Sequence, residues 1–187
     1  MNLTLKNFVN LTLEEQIEVL KIRNAKYVRT KMKNSNIIKL TDHLNWINSL
    51  SQDKNKRYYA VFLNNEIIGA NYVLLLNKII GYGNIGFYFK QNTPPIISSI
   101  SIVYFLEMIF NNLNINKIFS EVKTNNSMAY RFSKSLGFKV VNIKVENDEK
   151  YYLMELNRQK WERMKDTKLL KSVKKQSKDI VIKFEED

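Results

Sequence analysis

The chain has 187 residues, 44% of them hydrophobic and 12% aromatic, a globular composition that suits one domain with a sizeable core. It has no cysteine and a single histidine, His43, so disulfides, thiolate metal sites and most histidine-based zinc sites are excluded. The first residues lack the build of a signal peptide, and the longest uncharged run, residues 91–106, is too short and polar to span a bilayer. We expect a cytoplasmic protein without a transmembrane segment or a metal.

The net charge of +12 is a candidate signal for nucleic-acid binding. The chain also contains 24 lysines, 24 asparagines and 20 isoleucines, which share A/T-rich codons and are enriched together by a biased genome. Only six basic residues are arginine, the side chain that phosphate and base recognition prefers. Nucleic acid is therefore not the expected partner.

The first half of the chain combines two amphipathic helices with four strand-like segments. Thr12 and Glu15 have the spacing of a capping box, which predicts a helix N-terminus. Thr41 or Asp42 is expected to cap the second helix. The predicted elements are a strand at 3–9, a helix at 13–24, a polar loop at 27–39, a helix from about 42 to 50, and strands at 57–64, 66–76 and 79–90.

The second half predicts a long apolar helix followed by alternating strands and one short helix. The order of elements indicates an α/β (α+β) fold, with a mixed, mostly antiparallel twisted sheet and helices on both faces. The elements are a helix at 96–112, a strand at 117–123, a helix at 127–136, and strands at 137–145 and 150–156.

A basic extension follows residue 156. Trp161, Met164, Leu170 and Val173 are spaced to form one apolar helical stripe, while the rest of residues 158–178 is strongly basic. We expect a domain at 1–156 and an extension at 157–187 that is helical and docked. It would dock on its own domain or on a second copy in a homodimer.

Several short motifs resemble one known fold in the order in which they occur. Residues 22–24 (IRN), Met32 and residues 42–47 (DHLNWI) are similar to the N-terminal half of the amino-sugar-nucleotide N-acetyltransferases of pseudaminic acid biosynthesis, which belong to the GNAT acetyltransferases. Residues 85–88 (IGFY) resemble the strand along which these enzymes lay the pantetheine arm of coenzyme A. Residues 121–138 resemble the next strand and helix.

The resemblance implies a GNAT-like transferase. It would move an acetyl group from acetyl-CoA to the amino group of a nucleotide-linked deoxy-amino sugar, with the oxyanion held by a backbone N–H of a bulge at residues 86–88. The candidate catalytic residues are His43, Glu121, Tyr130 and Ser133. The candidate substrate-binding residues are Arg23, Asn24, Met32 and Trp46, and the candidate coenzyme-binding residues are Phe87, Tyr88, Ser98, Ser99, Asn125 and Asn126.

Glu121 is a candidate base because strand alternation puts it on the same face as apolar Phe119. A carboxylate on such a face needs a partner or has a raised pKa, which suits removal of a proton from an ammonium group. The alternative is a structural salt bridge with Lys123 or Arg131.

Two features depart from the family pattern. The glycine-rich turn that cradles the coenzyme A diphosphate is replaced by a segment containing Pro94 and Pro95, although Ser98 and Ser99 could supply hydroxyls. Ser133 occupies the place of the general-acid tyrosine, and Tyr130, three residues earlier, is a possible substitute. Two alternatives stay open: the same fold with a different acyl donor, or a catalytically silent GNAT-like binding module.

Overall fold

The computed structural model describes residues 1–77 and 79–186, and its described strands form one mixed sheet in the order β6-β7-β5-β4-β3-β2-β1-β8. Neighbouring strands are antiparallel except for the β4–β5 and β1–β8 pairs, which are parallel. This confirms the mostly antiparallel sheet. The strands are β1 (Asn2–Asn7), β2 (Lys56–Leu63), β3 (Glu66–Asn77), β4 (Tyr82–Phe89), β5 (Lys117–Lys123), β6 (Lys139–Glu146), β7 (Glu149–Asn157) and β8 (Val181–Glu185).

Helices cover both faces of the sheet. One face carries a small apolar core with the first three helices, and the other carries a larger core with the remaining four. The helices are α1 (Leu13–Asn24), α2 (Lys26–Arg29), α3 (Leu40–Leu50), α4 (Pro95–Asn112), α5 (Ser127–Ser135), α6 (Arg158–Met164) and α7 (Lys168–Gln176).

The ends of the first helices follow from side-chain hydrogen bonds. The capping box is confirmed, since Thr12 and Glu15 exchange side-chain-to-backbone bonds at the start of α1. The predicted cap of α3 at Thr41 or Asp42 is wrong, because the helix begins at Leu40 with Lys39 as its N-cap residue. The side chain of Asn24 accepts from the Ile38 backbone N–H and donates to its carbonyl, both at 2.9 Å, and so fixes the chain just before that helix.

Helix α4 is the central element of the larger core. Its length and apolar composition would by themselves suit a membrane span, but the helix packs against the sheet and 56% of it is buried inside the protein. Ile100, Leu106 and Ile109 are fully buried. Its burial on the face opposite α1 explains why the sequence of this helix is apolar on nearly every side.

The C-terminal extension adds two helices and an edge strand. The apolar stripe is divided between α6 and α7 rather than carried by one helix, and Trp161, Leu170 and Val173 are buried in the larger core. Strand β8 then pairs in parallel with β1, with Ile182 opposite Leu3. The extension therefore packs on its own chain.

Candidate active site

The parallel strands β4 and β5 pair over only part of their length. The described pairs end at Asn84 opposite Phe119. Both strands continue, β4 to Phe89 and β5 to Lys123. They therefore diverge and leave an opening between residues 85–89 and residues 120–123, which we call the β4–β5 gap.

The odd-numbered residues of β4 direct their backbone N–H and C=O groups toward β5. At one end of the strand, the Gly81 carbonyl accepts from the Lys117 N–H at 3.1 Å, on the β5 side. At the other end, the Lys90 N–H donates to the Ile68 carbonyl at 2.7 Å, on the β3 side. Because backbone groups alternate in direction along a strand, odd-numbered residues present their N–H and C=O groups to the β4–β5 gap.

Ile85 and Phe87 therefore present backbone N–H groups to this gap. The carbonyl of Phe89, at the open end, accepts a hydrogen bond from the Tyr27 hydroxyl at 2.8 Å. An extended ligand with amide groups can pair with such a row as an additional strand would.

The predicted bulge at residues 86–88 is wrong. The β3–β4 register is regular along this stretch, with Tyr72 opposite Gly86, and its irregularity lies between Leu75 and Asn77. The glycine has a different cause, since a Cβ at Gly86 would overlap the ring and hydroxyl of Tyr72. The glycine in the strand thus marks a close side-chain approach rather than an extra residue.

A half-buried arginine, Arg23, lies on the α1 face of the sheet. Arg23 Nη2 donates to the Asn34 carbonyl at 2.8 Å, whereas Nη1 is buried and has no hydrogen-bond partner among the described residues. Burial lowers the pKa of Arg23, and the phenols of Tyr88, Tyr72 and Tyr58 oppose this shift. We call these four residues the arginine–tyrosine cluster. A buried guanidinium N–H without a partner is a site for an oxygen of a ligand.

His43 is buried beside this cluster and is only 3% exposed. Its Nε2 lies 3.1 Å from the Gln16 carbonyl, so Nε2 carries the proton and Nδ1 is the free acceptor. Burial lowers the pKa of His43, and Arg23 adds to the effect while the bond to Gln16 opposes it. The imidazole is therefore neutral near pH 7. Its ring centroid lies 5.7 Å from that of half-buried Trp46.

Asn24 and Met32 shape the loop between α2 and α3. The Asn24 amide is occupied by the Ile38 backbone, and Met32 packs against the smaller core. Trp46 contacts Tyr58 edge to face at 4.8 Å and so connects α3 to the arginine–tyrosine cluster. These three residues therefore support the structure around the site, and their contacts described here are with the protein itself.

Glu121 belongs to a four-membered charge network. Its half-exposed carboxylate lies 3.7 Å from both Lys33 Nζ and Lys144 Nζ, and Glu146 approaches the same lysines at 2.9 and 2.6 Å. The predicted pairing of Glu121 with Lys123 or Arg131 is wrong, and Lys123 pairs with Glu149 instead. The actual partners come from the α2–α3 loop and from β6, which only the tertiary fold brings to β5.

Helix α5 separates its candidate residues. The Asn126 side chain caps the helix by accepting from the Ala129 N–H at 3.2 Å, and Asn125 is exposed beside it. Ser133 is buried, at 2% exposure. The Tyr130 ring lies 4.8 Å from that of Tyr152 on β7, the strand on the far side of β5 from the gap. Phe132, by contrast, contacts Phe87 of β4.

The start of α4 offers few donors. Pro95 has no N–H, and the Ile97 and Ser98 N–H groups both bond to the Pro94 carbonyl. The Ser98 and Ser99 hydroxyls donate back to the Pro95 carbonyl, at 3.0 and 2.7 Å. Both hydroxyls are thus engaged within the helix, in contrast to the anion contacts that the sequence suggested.

Sequence patterns alone do not single out Tyr72, Tyr58 or Lys33 as site residues. Tyr58 and Tyr72 face each other across β2 and β3 and stack at 4.9 Å, but in the sequence they are ordinary strand aromatics. The usable signal was Gly86, since a glycine within a strand implies that something lies close to it. Among the described residues, no group of three histidine or acidic side chains could hold a metal ion.

The diverging parallel strands β4 and β5, within a mixed sheet covered by helices, place the chain in the α/β class. The sequence model described as "Acetyltransferase (GNAT) domain" matches residues 9–152, and the chain belongs to this family of acyl-CoA-dependent N-acetyltransferases. A Campylobacter jejuni protein named "Acetyltransferase PseH" is 28% identical over 149 residues, which cover 79% of this chain and 89% of the relative.

Solved structures agree in fold. C. jejuni N-acetyltransferase PseH in complex with acetyl coenzyme A matches with a TM-score of 0.65 and 24% identity, over 83% of this chain and 99% of that one. Spermidine N-acetyltransferase from Vibrio cholerae, in complex with CoA and spermine, matches with a TM-score of 0.76 and 17% identity, over 85% and 97%. The GNAT-like fold expected from the sequence is confirmed.

Proposed function

We propose that this acetyltransferase acts in the cytoplasm and moves an acetyl group from acetyl-CoA to the amino group of a nucleotide-linked deoxy-amino sugar. The observation that carries the acceptor assignment is the unpartnered, buried Nη1 of Arg23. The similarity to PseH supports acetyl transfer, and the resemblance of residues 22–24, 32 and 42–47 to amino-sugar-nucleotide N-acetyltransferases supports this acceptor class.

The β4–β5 gap suits the pantetheine arm of acetyl-CoA. Ile85 and Phe87 offer backbone N–H groups there, so the amides of pantetheine can pair with β4 in extended form. The Phe87 ring packs edge to face against Phe132 of α5, and this contact closes one end of the β4–β5 gap. The thioester would then lie beside the Phe87 N–H, level with the arginine–tyrosine cluster.

The nucleotide end of the acceptor has a polar surface close to Arg23. A depression of about 460 Å³ is lined by the α2–α3 loop, including Lys33 and Asn34, and by Asn147 in the β6–β7 turn. Arg23 bonds to the carbonyl of Asn34, which lines this depression. A diphosphate or ribose in the depression would lie beside Asn34, and a shift of the Asn34 segment would bring it to the buried guanidinium N–H.

The positive charge of the protein favours a nucleotide sugar over a polyamine as the acceptor. The V. cholerae neighbour was solved with spermine, a polycation. The present chain has a net charge of +12, and the arginine–tyrosine cluster adds the half-buried cation of Arg23 to the site. Such a field attracts an anionic acceptor and repels a polycationic one.

The chemistry is direct acyl transfer. The neutral amine attacks the thioester carbonyl, a nitrogen–carbon bond forms, and the Phe87 N–H stabilises the oxyanion. The carbon–sulfur bond then breaks, the nitrogen releases one proton and the thiolate takes up another. Glu121 can accept the proton from nitrogen directly or through water. Buried His43 can do so only through an intervening group, since its ring is almost sealed from solvent.

The test is acetyl transfer to a panel of amines. The purified protein is incubated with acetyl-CoA and with amino-deoxy sugars linked to UDP, dTDP or GDP, with the free amino sugars, or with spermidine. Released thiol gives the rate, and mass spectrometry identifies the acetylated product. We expect turnover of a nucleotide-linked sugar to exceed turnover of its free sugar by at least about 10-fold, because the free sugar lacks the group that Arg23 binds.

Three results would contradict the proposal. Spermidine could be the best acceptor, the free sugars could react as well as the nucleotide-linked ones, or no amine could be acetylated. The last result would favour the alternative of a silent module. Repeating the panel with propionyl-CoA and succinyl-CoA separates a wrong donor from a wrong acceptor, since a preference for another acyl group would leave the order of acceptors unchanged.

A further inference from the structure

Tyr72 lies across the strand that borders the gap. It is on β3, directly opposite Gly86 of β4. A Cβ at Gly86 would overlap both the Tyr72 hydroxyl and the ring carbon that carries it, so the side chain leans over β4 toward β5. Its ring is supported from behind by Tyr58, which stacks on it with an interplanar angle of 20°. The hydroxyl is therefore held above the residue next to Phe87.

The Tyr72 hydroxyl is available to a ligand. It forms no hydrogen bond to any residue described at 1–77 or 79–186, and the side chain is only partly exposed, so the hydroxyl has no protein partner that a ligand would have to displace. Burial of the ring raises the pKa of Tyr72, Arg23 opposes the shift and Glu121 adds to it. The phenol is thus neutral at pH 7, and it interacts electrostatically with the charges of Arg23 and Glu121.

We propose that Tyr72 positions the acceptor amine, with its hydroxyl oxygen accepting a hydrogen bond from the attacking N–H group at the mouth of the β4–β5 gap. The proposal rests on the proposed function for the location of the acceptor, but it holds for whichever amine the protein acetylates. It assigns Gly86 a role as well, because only glycine leaves room for the ring to reach the gap.

In the reaction, this contact aligns the nitrogen lone pair with the thioester carbonyl. The nitrogen–carbon bond forms while the carbon–sulfur bond breaks. The proton that nitrogen loses goes to Glu121 or to water, and the thiolate takes its proton from water. Tyr72 keeps its own proton throughout, so its removal should affect the rate of transfer and not the binding of acetyl-CoA.

The experiment compares Tyr72→Phe with Tyr104→Phe. The first variant keeps the ring stacked on Tyr58 and removes only the hydroxyl. The second removes the hydroxyl of a half-buried tyrosine on the opposite side of the sheet, where it bonds to Ser177 at 3.0 Å. With the best acceptor of the panel, we expect kcat of Tyr72→Phe to fall about 10-fold, with acetyl-CoA affinity by calorimetry unchanged, and Tyr104→Phe to keep the wild-type kcat.

A second variant tests the geometry. Gly86→Ala should displace the Tyr72 ring and lower kcat at least as much as Tyr72→Phe. Gly83→Ala is the control on the same strand and should not lower kcat, since its Cβ would meet the Val73 and Ile115 side chains and the Leu74 carbonyl at 3.2 to 3.3 Å, without touching Tyr72. Wild-type kcat in Tyr72→Phe, or equal losses in the two tyrosine variants, would overturn the proposal. The proposal would also be overturned if the protein acetylated no amine of the panel. A preference for spermidine, with kcat still dependent on Tyr72, would overturn only the proposed function.

Discussion

Trp161 stacks on Phe110, with ring centroids 6.1 Å apart and an interplanar angle of 24°. This contact joins the C-terminal extension to the central helix α4. Trp161 is fully buried, and Arg158 lies over the Phe110 ring while donating to the Ile115 carbonyl at 2.9 Å. We therefore propose that residues 157–187 unfold together with the domain at 1–156 rather than as a separate appendage.

The first prediction concerns this contact. Trp161→Ala should lower the free energy of unfolding by about 3–5 kcal/mol, because it removes a large buried ring and leaves a cavity. Chemical denaturation with urea, followed by circular dichroism, measures the change. Lys175→Ala, on the exposed face of α7, is the control and should change the stability by less than about 0.5 kcal/mol. A biphasic transition, in which the extension unfolds first, would contradict the proposal that the extension and the domain unfold as one unit.

The second prediction uses the single histidine. The pKa of folded His43 is lowered from 6.5, so the unfolded chain binds a proton more readily than the folded one. Stability should therefore be insensitive to this group above about pH 7 and should fall as the pH drops through 6.5 toward the folded pKa. Urea denaturation between about pH 7.5 and pH 5 measures the slope.

His43→Gln is the matched variant for this measurement. It can still donate to the Gln16 carbonyl but does not titrate, so the slope in this pH range should become flatter. An unchanged slope would mean that other groups dominate the range. Because His43 is buried, the variant is also expected to lose some stability at pH 7, in contrast to a freely exposed ligand-binding histidine.

The sequence predicted the order and nature of nearly every element of the main domain, because hydrophobic periodicity and turn residues act locally. The turn at Asn64 and Asn65, both with positive φ, is an example. The site was harder to predict. The partners of Glu121 come from two distant segments, and the role of Gly86 depends on the rotamer of a residue on the neighbouring strand. Neither relationship can be predicted from the spacing of residues along the sequence.

The third prediction concerns Arg23. Arg23→Met keeps an unbranched apolar stem but removes the guanidinium, so KM for the nucleotide-linked acceptor should rise by about 10- to 100-fold, equivalent to about 1–3 kcal/mol. Stability should change by no more than about 1 kcal/mol, because the lost bond from Nη2 to the Asn34 carbonyl is offset by removal of the buried, unpartnered Nη1. Arg131→Met, on the exposed surface of α5, is the control for loss of positive charge. A strongly destabilised variant with unchanged KM would make Arg23 structural.

The last prediction concerns the diphosphate of the coenzyme. At the start of α4, Pro95 lacks a donor, Ile97 and Ser98 donate to the Pro94 carbonyl, and both serine hydroxyls bond to the Pro95 carbonyl. Within residues 95–98, this leaves the Ile96 N–H as the one backbone donor outside these bonds. The helix dipole still favours an anion, but few donors can contact it. Acetyl-CoA should therefore bind only slightly more tightly than acetyl-pantetheine, which lacks the diphosphate.

Pro95→Ala tests this account directly. The variant adds an N–H at the first position of α4, which should raise acetyl-CoA affinity by about fivefold, or about 1 kcal/mol, and leave acetyl-pantetheine affinity unchanged. Isothermal titration calorimetry with both ligands measures the difference, and a thermal melt checks that loss of the proline costs no more than about 1 kcal/mol of stability. If the wild-type protein already binds acetyl-CoA far more tightly than acetyl-pantetheine, other groups hold the diphosphate. The extra N–H in Pro95→Ala should then bring no gain in affinity.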